Sequence, residues 1–353
     1  MTFHWYLPTH GDGRRVAEKA PSRPATPSYL RRVARAAERA GFDGILIPAG
    51  PNCADPVVSA ALVTQATKRL RPLIAIRPNA MHPTIAAKMV ATLDQISEGR
   101  IAINIVTGGS PMELAMDGDH LAHDDRYRRT DEFIRVLKAA WRGKAFDFDG
   151  EFYQVKGAAF RPPPLQEPRP PIYLGGVSSG AVAVAREHAD VHLRWGEPVE
   201  RVAEEVRELR REVEHASRGD PMTALRSGLR INIVIAETRD LAWQKAREIV
   251  SNPDPHAVER LERYFVNSDS QSLDRIQGLR DTETSDPAFW TGMVPFRSGN
   301  STALVGSAED IVSSIKRYVA AGIEEFIFSS FPHDRAASAI GRDVISELRA
   351  WSA

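Results

Sequence analysis

Eight short runs rich in β-branched and aromatic residues recur along the chain, each followed by a helix-like stretch. The runs occupy residues 3–7, 44–48, 73–77, 102–106, 171–174, 191–194, 229–235 and 325–329. Between them, amphipathic segments span residues 27–40, 56–69, 83–96, 125–142, 180–189, 198–216, 240–249 and 308–321, and a last helix over 336–351 follows. Strands spaced by helices imply βαβ crossovers and a parallel sheet. Eight such units are the arithmetic of a (β/α)8 barrel, which takes about 250 residues before insertions. The chain has 353. Part of the surplus sits at 146–155, which alternates around Asp149-Gly150 and predicts a hairpin. The rest lies at 253–296, a polar and irregular stretch after the seventh strand, with a lid reaching to residue 301. A doubly wound sheet would want Gly-x-Gly-x-x-Gly after its first strand. Here that strand runs into Pro8-Thr9-His10-Gly11-Asp12-Gly13, which lacks the spacing. One α/β barrel domain over residues 1–353 is the expectation.

Charge narrows the function. The chain carries 46 Lys+Arg against 46 Asp+Glu, interspersed rather than blocked, and so offers no basic face for nucleic acid or anionic membrane. The single cysteine, Cys53, cannot form an intramolecular disulfide or a multi-thiolate metal site, which points to a reducing compartment. No basic and then apolar leader follows Met1. The longest uncharged run, 170–185, is broken by Pro170-Pro171 and Gly175-Gly176, and falls short of the roughly 20 apolar residues of a membrane span. A soluble, cytoplasmic protein with no membrane or nucleic-acid partner is expected.

Barrel enzymes place their chemistry at the C-terminal ends of strands. Reading just past each run gives His10, Cys53, Arg77 with Asn79, Asn104 with Thr107-Gly108-Gly109, and Gly175 to Gly180. The later runs give Trp195, Arg230 with Asn232, and Phe331-Pro332-His333. No metal-ligand cluster or nucleophile elbow is among them. The set is cationic, amide-rich and aromatic, suited to an anionic or planar ligand. Gly176, Ser178 and Ser179 open a helix whose free N–H groups favour phosphate, though capping serines after a tight turn give the same pattern. Cys53 reads as a small buried hydrophobe more often than as a reactive thiol, and Trp195 as a structural aromatic at least as readily as a pocket wall. Arg230 alternates with apolar residues in "LRINIVIA", so it must find an anion or face the helices. Arg297 lies in a Gly- and Ser-rich segment that is either solvated or a mobile clamp.

Taken in order, "WYLPTHGDGR", "GFDGILIPAGPNCAD", "ATLDQISEGRIAINIVTGG", "DDRYRRTDEF", "PPIYLGGVSSGA", "RWGEP", "STALVG" and "GIEEFIFSSFPH" resemble the bacterial luciferase-like superfamily. Within it they are most similar to the alkanesulfonate monooxygenases that use reduced FMN, over nearly the whole chain. The resemblance implies a TIM barrel and a separate NAD(P)H-dependent reductase that supplies reduced FMN (FMNH2). With O2 the flavin forms a peroxyflavin, which oxidises a small sulfonate to an aldehyde and sulfite. It implies Asn104, Thr107 and Cys53 near the flavin ring, and Tyr127, Ser178, Ser179 and Gly176 around its phosphate. Arg230, His10 and Arg297 become the catalytic set, and Trp195, Asn232, Phe331 and His333 the substrate contacts. A homodimer or homotetramer is implied too.

Three departures stand out. Asn232 replaces a family histidine, and Phe331 a family tyrosine. The family's C-terminal tail has no counterpart after Ala353, so closure is expected from residues 292–300. The first two changes fall on the substrate side and leave a sulfone, a heterocycle or a natural-product intermediate as other substrates. A deazaflavin-dependent oxidoreductase and a non-catalytic flavin-binding protein are the further readings.

Overall fold

The computed structural model describes residues 1–215, 225–280, 282 and 284–352. In chain order its strands are β1 (Thr2–Tyr6), β2 (Gly44–Ile47), β3 (Arg71–Ile76), β4 (Ala102–Ile105), β5 (Phe146–Asp149) and β6 (Gln154–Ala158). They continue as β7 (Ile172–Gly175), β8 (Val191–Trp195), β9 (Arg226–Ile235), β10 (Phe289–Trp290), β11 (Ala303–Gly306) and β12 (Glu325–Ser329). The helices are α1 (Pro27–Arg39), α2 (Pro56–Ala66), α3 (Pro83–Ile96), α4 (Pro111–Met116), α5 (His123–Trp141) and α6 (Ser179–His188). After them come α7 (Val199–His215), α8 (Arg239–Ile249), α9 (Pro255–Val266), α10 (Gln271–Gln277), α11 (Ala308–Ala320), α12 (His333–Ile340) and α13 (Ser346–Ser352). The end of the helix expected over 198–216 lies outside the described residues.

Eight parallel strands close on themselves in the order β1, β2, β3, β4, β7, β8, β9, β12 and back to β1. This is the (β/α)8 barrel that the alternation demanded. Period-two side-chain alternation sorts the strands. Tyr6, Leu46, Leu73, Ala102, Tyr173, Val191, Leu193 and Ile327 pack on one another, while their neighbours Phe3, Trp5, Ile45 and Ile103 join the helices in a separate, larger core. Helix starts follow local chemistry. Thr26, Asp55, Ser110 and Asp254 cap helices whose first residue is proline, a residue that lacks the N–H left idle there. The hairpin is β5 paired antiparallel with β6.

Three features differ from the expected order. The stretch over 253–296 is not irregular: it holds α9, α10 and β10, with Asp254 and Ser270 as caps. The seventh barrel strand also has an additional neighbour. β8 uses β9 from Arg226 to Arg230, and beyond it β11 takes over the pairing from Asn232 to Ile235. The N–H of Gly196 donates to Arg230 and that of Asn232 to Thr302, so β11 continues the same edge. The final helix begins at His333 rather than 336 and passes through a π turn at Gly341–Ile345. No described helix is long and apolar enough to cross a membrane.

Candidate active site

At the mouth of the barrel two arginines converge, neither in an ion pair with a carboxylate among the described residues. Arg230 projects from β9, with its guanidinium carbon 4.5 Å from the centre of the Tyr6 ring and its Nε unpartnered. Arg297 follows a short 3-10 turn (Val294–Phe296), lies 5.3 Å over the ring of Phe331, and donates from Nη1 to Asn232 Oδ1 at 3.1 Å. Burial, and then the charge of Arg230, lower the Arg297 pKa to about 10, so Arg297 stays cationic at neutral pH. Burial raises the Tyr6 pKa against the pull of Arg230 and keeps that phenol protonated.

Asn232 is fully buried and saturated. Its Nδ2 donates to Asn300 O (3.2 Å) and Thr302 O (2.8 Å), and its Oδ1 also accepts from Ser329 Oγ at 2.6 Å. It ties β9, β11 and β12 together and aims Arg297. Its side chain is committed to the protein rather than open to a substrate.

Two histidines share this end. His10, exposed at the rim, has its Nδ1 3.5 Å from the Tyr6 hydroxyl. Shielding of its ring, followed by Arg297, His333 and Arg230, lowers its pKa to about 4, so it is neutral at physiological pH. His333 is only 2 % exposed; Asp12, Trp5, Tyr6 and Phe331 surround it. Trp195 ends β8 in register with Arg230.

The other half of the mouth is a turn. After β7, Gly176 adopts φ +129°, and an added Cβ would stand 2.7 Å from Ala181 Cβ and 3.2 Å from the Tyr127 hydroxyl. Ser178 caps α6, and its hydroxyl also bonds that of Tyr127. Helix geometry leaves the first N–H groups of α6 without internal acceptors. Thr107 bonds Thr130 on α5 at 3.2 Å, and Asn104, on β4 next to β7, carries a buried Oδ1 with no partner. Burial raises the Cys53 pKa, although Thr9 and Arg77 oppose it, so the residue remains a thiol. Arg77 is taken up by Glu113 at 2.8 Å. Two cavities of about 510 and 500 Å3 flank α6, one walled by Val177 and His192, the other by Tyr127, Ser179 and Gly180. Neither contains Arg230 or Arg297, so converging charge rather than void size marks the mouth.

The insertion is bolted down beside this turn. Arg126 clasps Asp269 with two bonds of 2.7 and 2.6 Å, and Ser268 and Asp269 both donate to Gly109 O. Ser270 comes so close that a Cβ on Gly109 would lie 2.7 Å from its own Cβ. The Thr107–Gly109 segment is thus a docking seat rather than a flexible loop. Arg275 of α10 meets Glu205, which also holds Arg194. Within the expected lid, Met293 and Val294 are fully buried.

The structure therefore gathers Arg230, Arg297, Asn232, Phe331, His333 and His10 in one group, and Gly176, Ser178, Ser179 and Tyr127 in another. Sequence reading passed over Tyr6, Asp12, Tyr29 and Ser329. Only the Gly11-Asp12-Gly13 turn carried a local signal for any of them.

The barrel has relatives among solved structures. A riboflavin lyase with modified FMN and riboflavin superposes with a TM-score of 0.81 at 20% identity, covering 100% of this chain and 92% of that one. The EDTA monooxygenase of Chelativorans sp. BNC1 gives 0.77 at 17%, covering 100% and 94%. A coenzyme F420-dependent tetrahydromethanopterin reductase from Methanopyrus kandleri gives 0.69 at 17%, covering 98% and 99%. These likenesses establish the fold. The model of the luciferase-like monooxygenase family matches residues 1–325, and the chain belongs to that family.

Proposed function

We propose that the protein is the oxygenase of a two-component system that oxidises a small organosulfonate to an aldehyde and sulfite with reduced FMN and O2. The observation that carries this reading is the pair Arg230 and Arg297, two guanidinium groups neither of which is matched by a carboxylate among the described residues. Two guanidinium groups next to each other repel, so an anion between them stabilises the arrangement through charge-assisted bonds. A sulfonate offers three acceptor oxygens of fixed charge.

The flavin fits the other half of the mouth. Ser178, Ser179, Tyr127 and the first N–H groups of α6 would hold its phosphate, with Gly176 allowing close approach. Asn104, with its orphan Oδ1, Thr107 and Cys53 would border the ring. Bound reduced FMN supplies the reaction with O2, and a separate NAD(P)H-dependent flavin reductase delivers it. The residues of this chain then do the positioning. Arg230 and Arg297 fix the sulfonate and stabilise departing sulfite, Trp195 and Phe331 wall the carbon chain, and neutral His10 exchanges hydrogen bonds at the rim. The working form is a cytoplasmic homodimer or homotetramer.

The test combines protein, FMN, NADH, a flavin reductase and O2 with methane-, ethane- and sugar-sulfonates. Sulfite release supports the reading, and its absence across the panel overturns the desulfonation. Phe331 favours one other outcome, since its ring covers Arg297 where a tyrosine would offer a hydroxyl. Oxygen insertion without sulfite would identify a different anionic substrate for the same flavin chemistry. Turnover with a deazaflavin in the absence of O2 would replace both.

A further inference from the structure

Asp12 and His333 meet from opposite ends of the chain. Asp12 sits in the turn after β1 and is 3 % exposed. Its Oδ1 accepts from Gly13 N–H at 2.8 Å and lies 3.0 Å from His333 Nδ1. Its Oδ2 accepts the backbone N–H of His333 at 2.8 Å and the hydroxyl of Tyr29. We propose that Asp12 is a positioning residue that keeps the His333 proton on Nδ1 and so presents Nε2 to the barrel mouth as a proton acceptor.

The argument is one of donors and acceptors. Burial would raise the carboxyl pKa, but bonds from His333 and Tyr29 hold it at about 2, so Asp12 is ionised and can only accept. Nδ1 stands 3.0 Å from an ionised carboxylate oxygen, and bare it would oppose a lone pair to that charge, so the contact favours a hydrogen on Nδ1 even though the two are not aligned as a hydrogen bond. A neutral imidazole protonated on Nδ1 has its lone pair on Nε2, and ring geometry turns that atom away from Asp12. Nε2 is likewise buried and has no hydrogen-bond partner among the described residues. A staple between the first loop and α12 would not need an acceptor left open, because the backbone bond and Tyr29 already supply the staple.

The surroundings separate this histidine from His10. Burial and then Arg297, His333 and Arg230 disfavour an imidazolium on His10, which has no carboxylate in contact among the described residues. His333 has one. Arg23 and Asp334 lie beyond it but pair with each other at 2.9 Å, while Tyr6 and Tyr29 are protonated phenols. Asp12 is thus the charge that lets His333 take a proton from a substrate or water O–H. The O–H bond breaks, its electron pair stays on oxygen, and the imidazolium is balanced by the carboxylate. This deepens the function proposed above, since the acceptor serves a substrate held by Arg230 and Arg297.

The first test needs no substrate. Two-bond 1H–15N spectra of histidine-labelled protein, with His333 assigned by its loss in His333→Gln, are expected to show Nδ1 protonated and Nε2 bare. In Asp12→Asn that preference is expected to be lost, and in Asp12→Glu retained. A proton on Nε2 in the unaltered protein, or an unchanged tautomer in Asp12→Asn, overturns the proposal whatever the substrate proves to be. In turnover, Asp12→Asn is expected to lower kcat about 100-fold with KM little changed. A fall in thermal stability with kcat intact would leave Asp12 a structural staple and sink the positioning role.

Discussion

Replacing Asn232 with leucine keeps the branched shape and removes every polar contact of a fully buried side chain. Four hydrogen bonds go: those to Asn300 O and Thr302 O, and those from Ser329 Oγ and Arg297 Nη1. Each is worth about 1 kcal/mol net, and a buried group left unpaired costs more. Thr302 O keeps the Asn232 N–H, whereas the Ser329 hydroxyl, itself fully buried, loses its only acceptor. The sum is about 4 kcal/mol. Unfolding entropy of roughly 2 cal/mol/K per residue over a chain of this length turns that into a fall in Tm of about 6 °C.

The same substitution releases Arg297, whose one side-chain hydrogen bond is to Asn232. Sulfonate KM is therefore expected to rise about tenfold while FMN binding, measured by fluorescence quenching, is unchanged. Differential scanning calorimetry and sulfite kinetics check the two halves. A Tm within 1 °C of the parent and an unaltered KM would refute the idea that Asn232 braces the anion pocket. Histidine here, as in the resembling family, has one donor and one acceptor when neutral and cannot satisfy four partners. Asn232→His is expected to loosen the pocket, not restore it.

Other expectations are simpler to test. Gly109→Ala forces its new Cβ against Ser270, so limited proteolysis within 253–301 should accelerate, and adding Ser270→Gly should reverse the effect. Gly176→Ala combines a strained positive φ with contacts to Ala181 and Tyr127, and is expected to weaken FMN binding at least tenfold by fluorescence titration. His192 is buried, and burial and Arg194 lower its pKa to about 4. The unfolded state then binds its proton first as pH falls, so stability is lost from the ordinary value near 6.5 down to about 4, amounting to roughly 2 kcal/mol by pH 5. Urea unfolding at pH 8 and pH 5 should show that loss in the parent and a smaller one in His192→Gln.

The sequence discloses the barrel because eight short apolar, β-branched runs each precede a helical stretch, a local property. β11 escapes the same reading, since Ala303 to Gly306 is four residues long and pairs with β9 only where β8 has ended. α9 and α10 hide in a polar stretch because they are surface helices with few buried residues, although Asp254-Pro255 and Ser270 mark their starts. Strand ends pointed to Arg230 and the Gly176 turn without any structure. What alternation cannot say is which partner a side chain finds. Nothing local to Asp12 announces His333, and nothing local to Asn232 announces that its amide is already spent on Arg297 and Ser329.

β9 supplies the strongest internal control on the anion pocket. Arg226 and Arg230 lie four residues apart on one strand, so alternation puts them on the same, inward face. At the lower layer Arg226 pairs with Glu325, a carboxylate that also accepts from Tyr173 OH at 2.7 Å and contacts His4 Nε2 at 3.1 Å. That layer is electrically closed. Two pleat repeats higher, past Gly228, Arg230 has a tyrosine ring beneath it, and Arg297 has a phenylalanine ring and one amide. A cation on an aromatic face gains about 1–2 kcal/mol, less than the cost of withdrawing it from water without a counter-ion. The same strand thus shows how this chain neutralises an arginine that serves the fold, and leaves another cation open where the barrel meets its ligand.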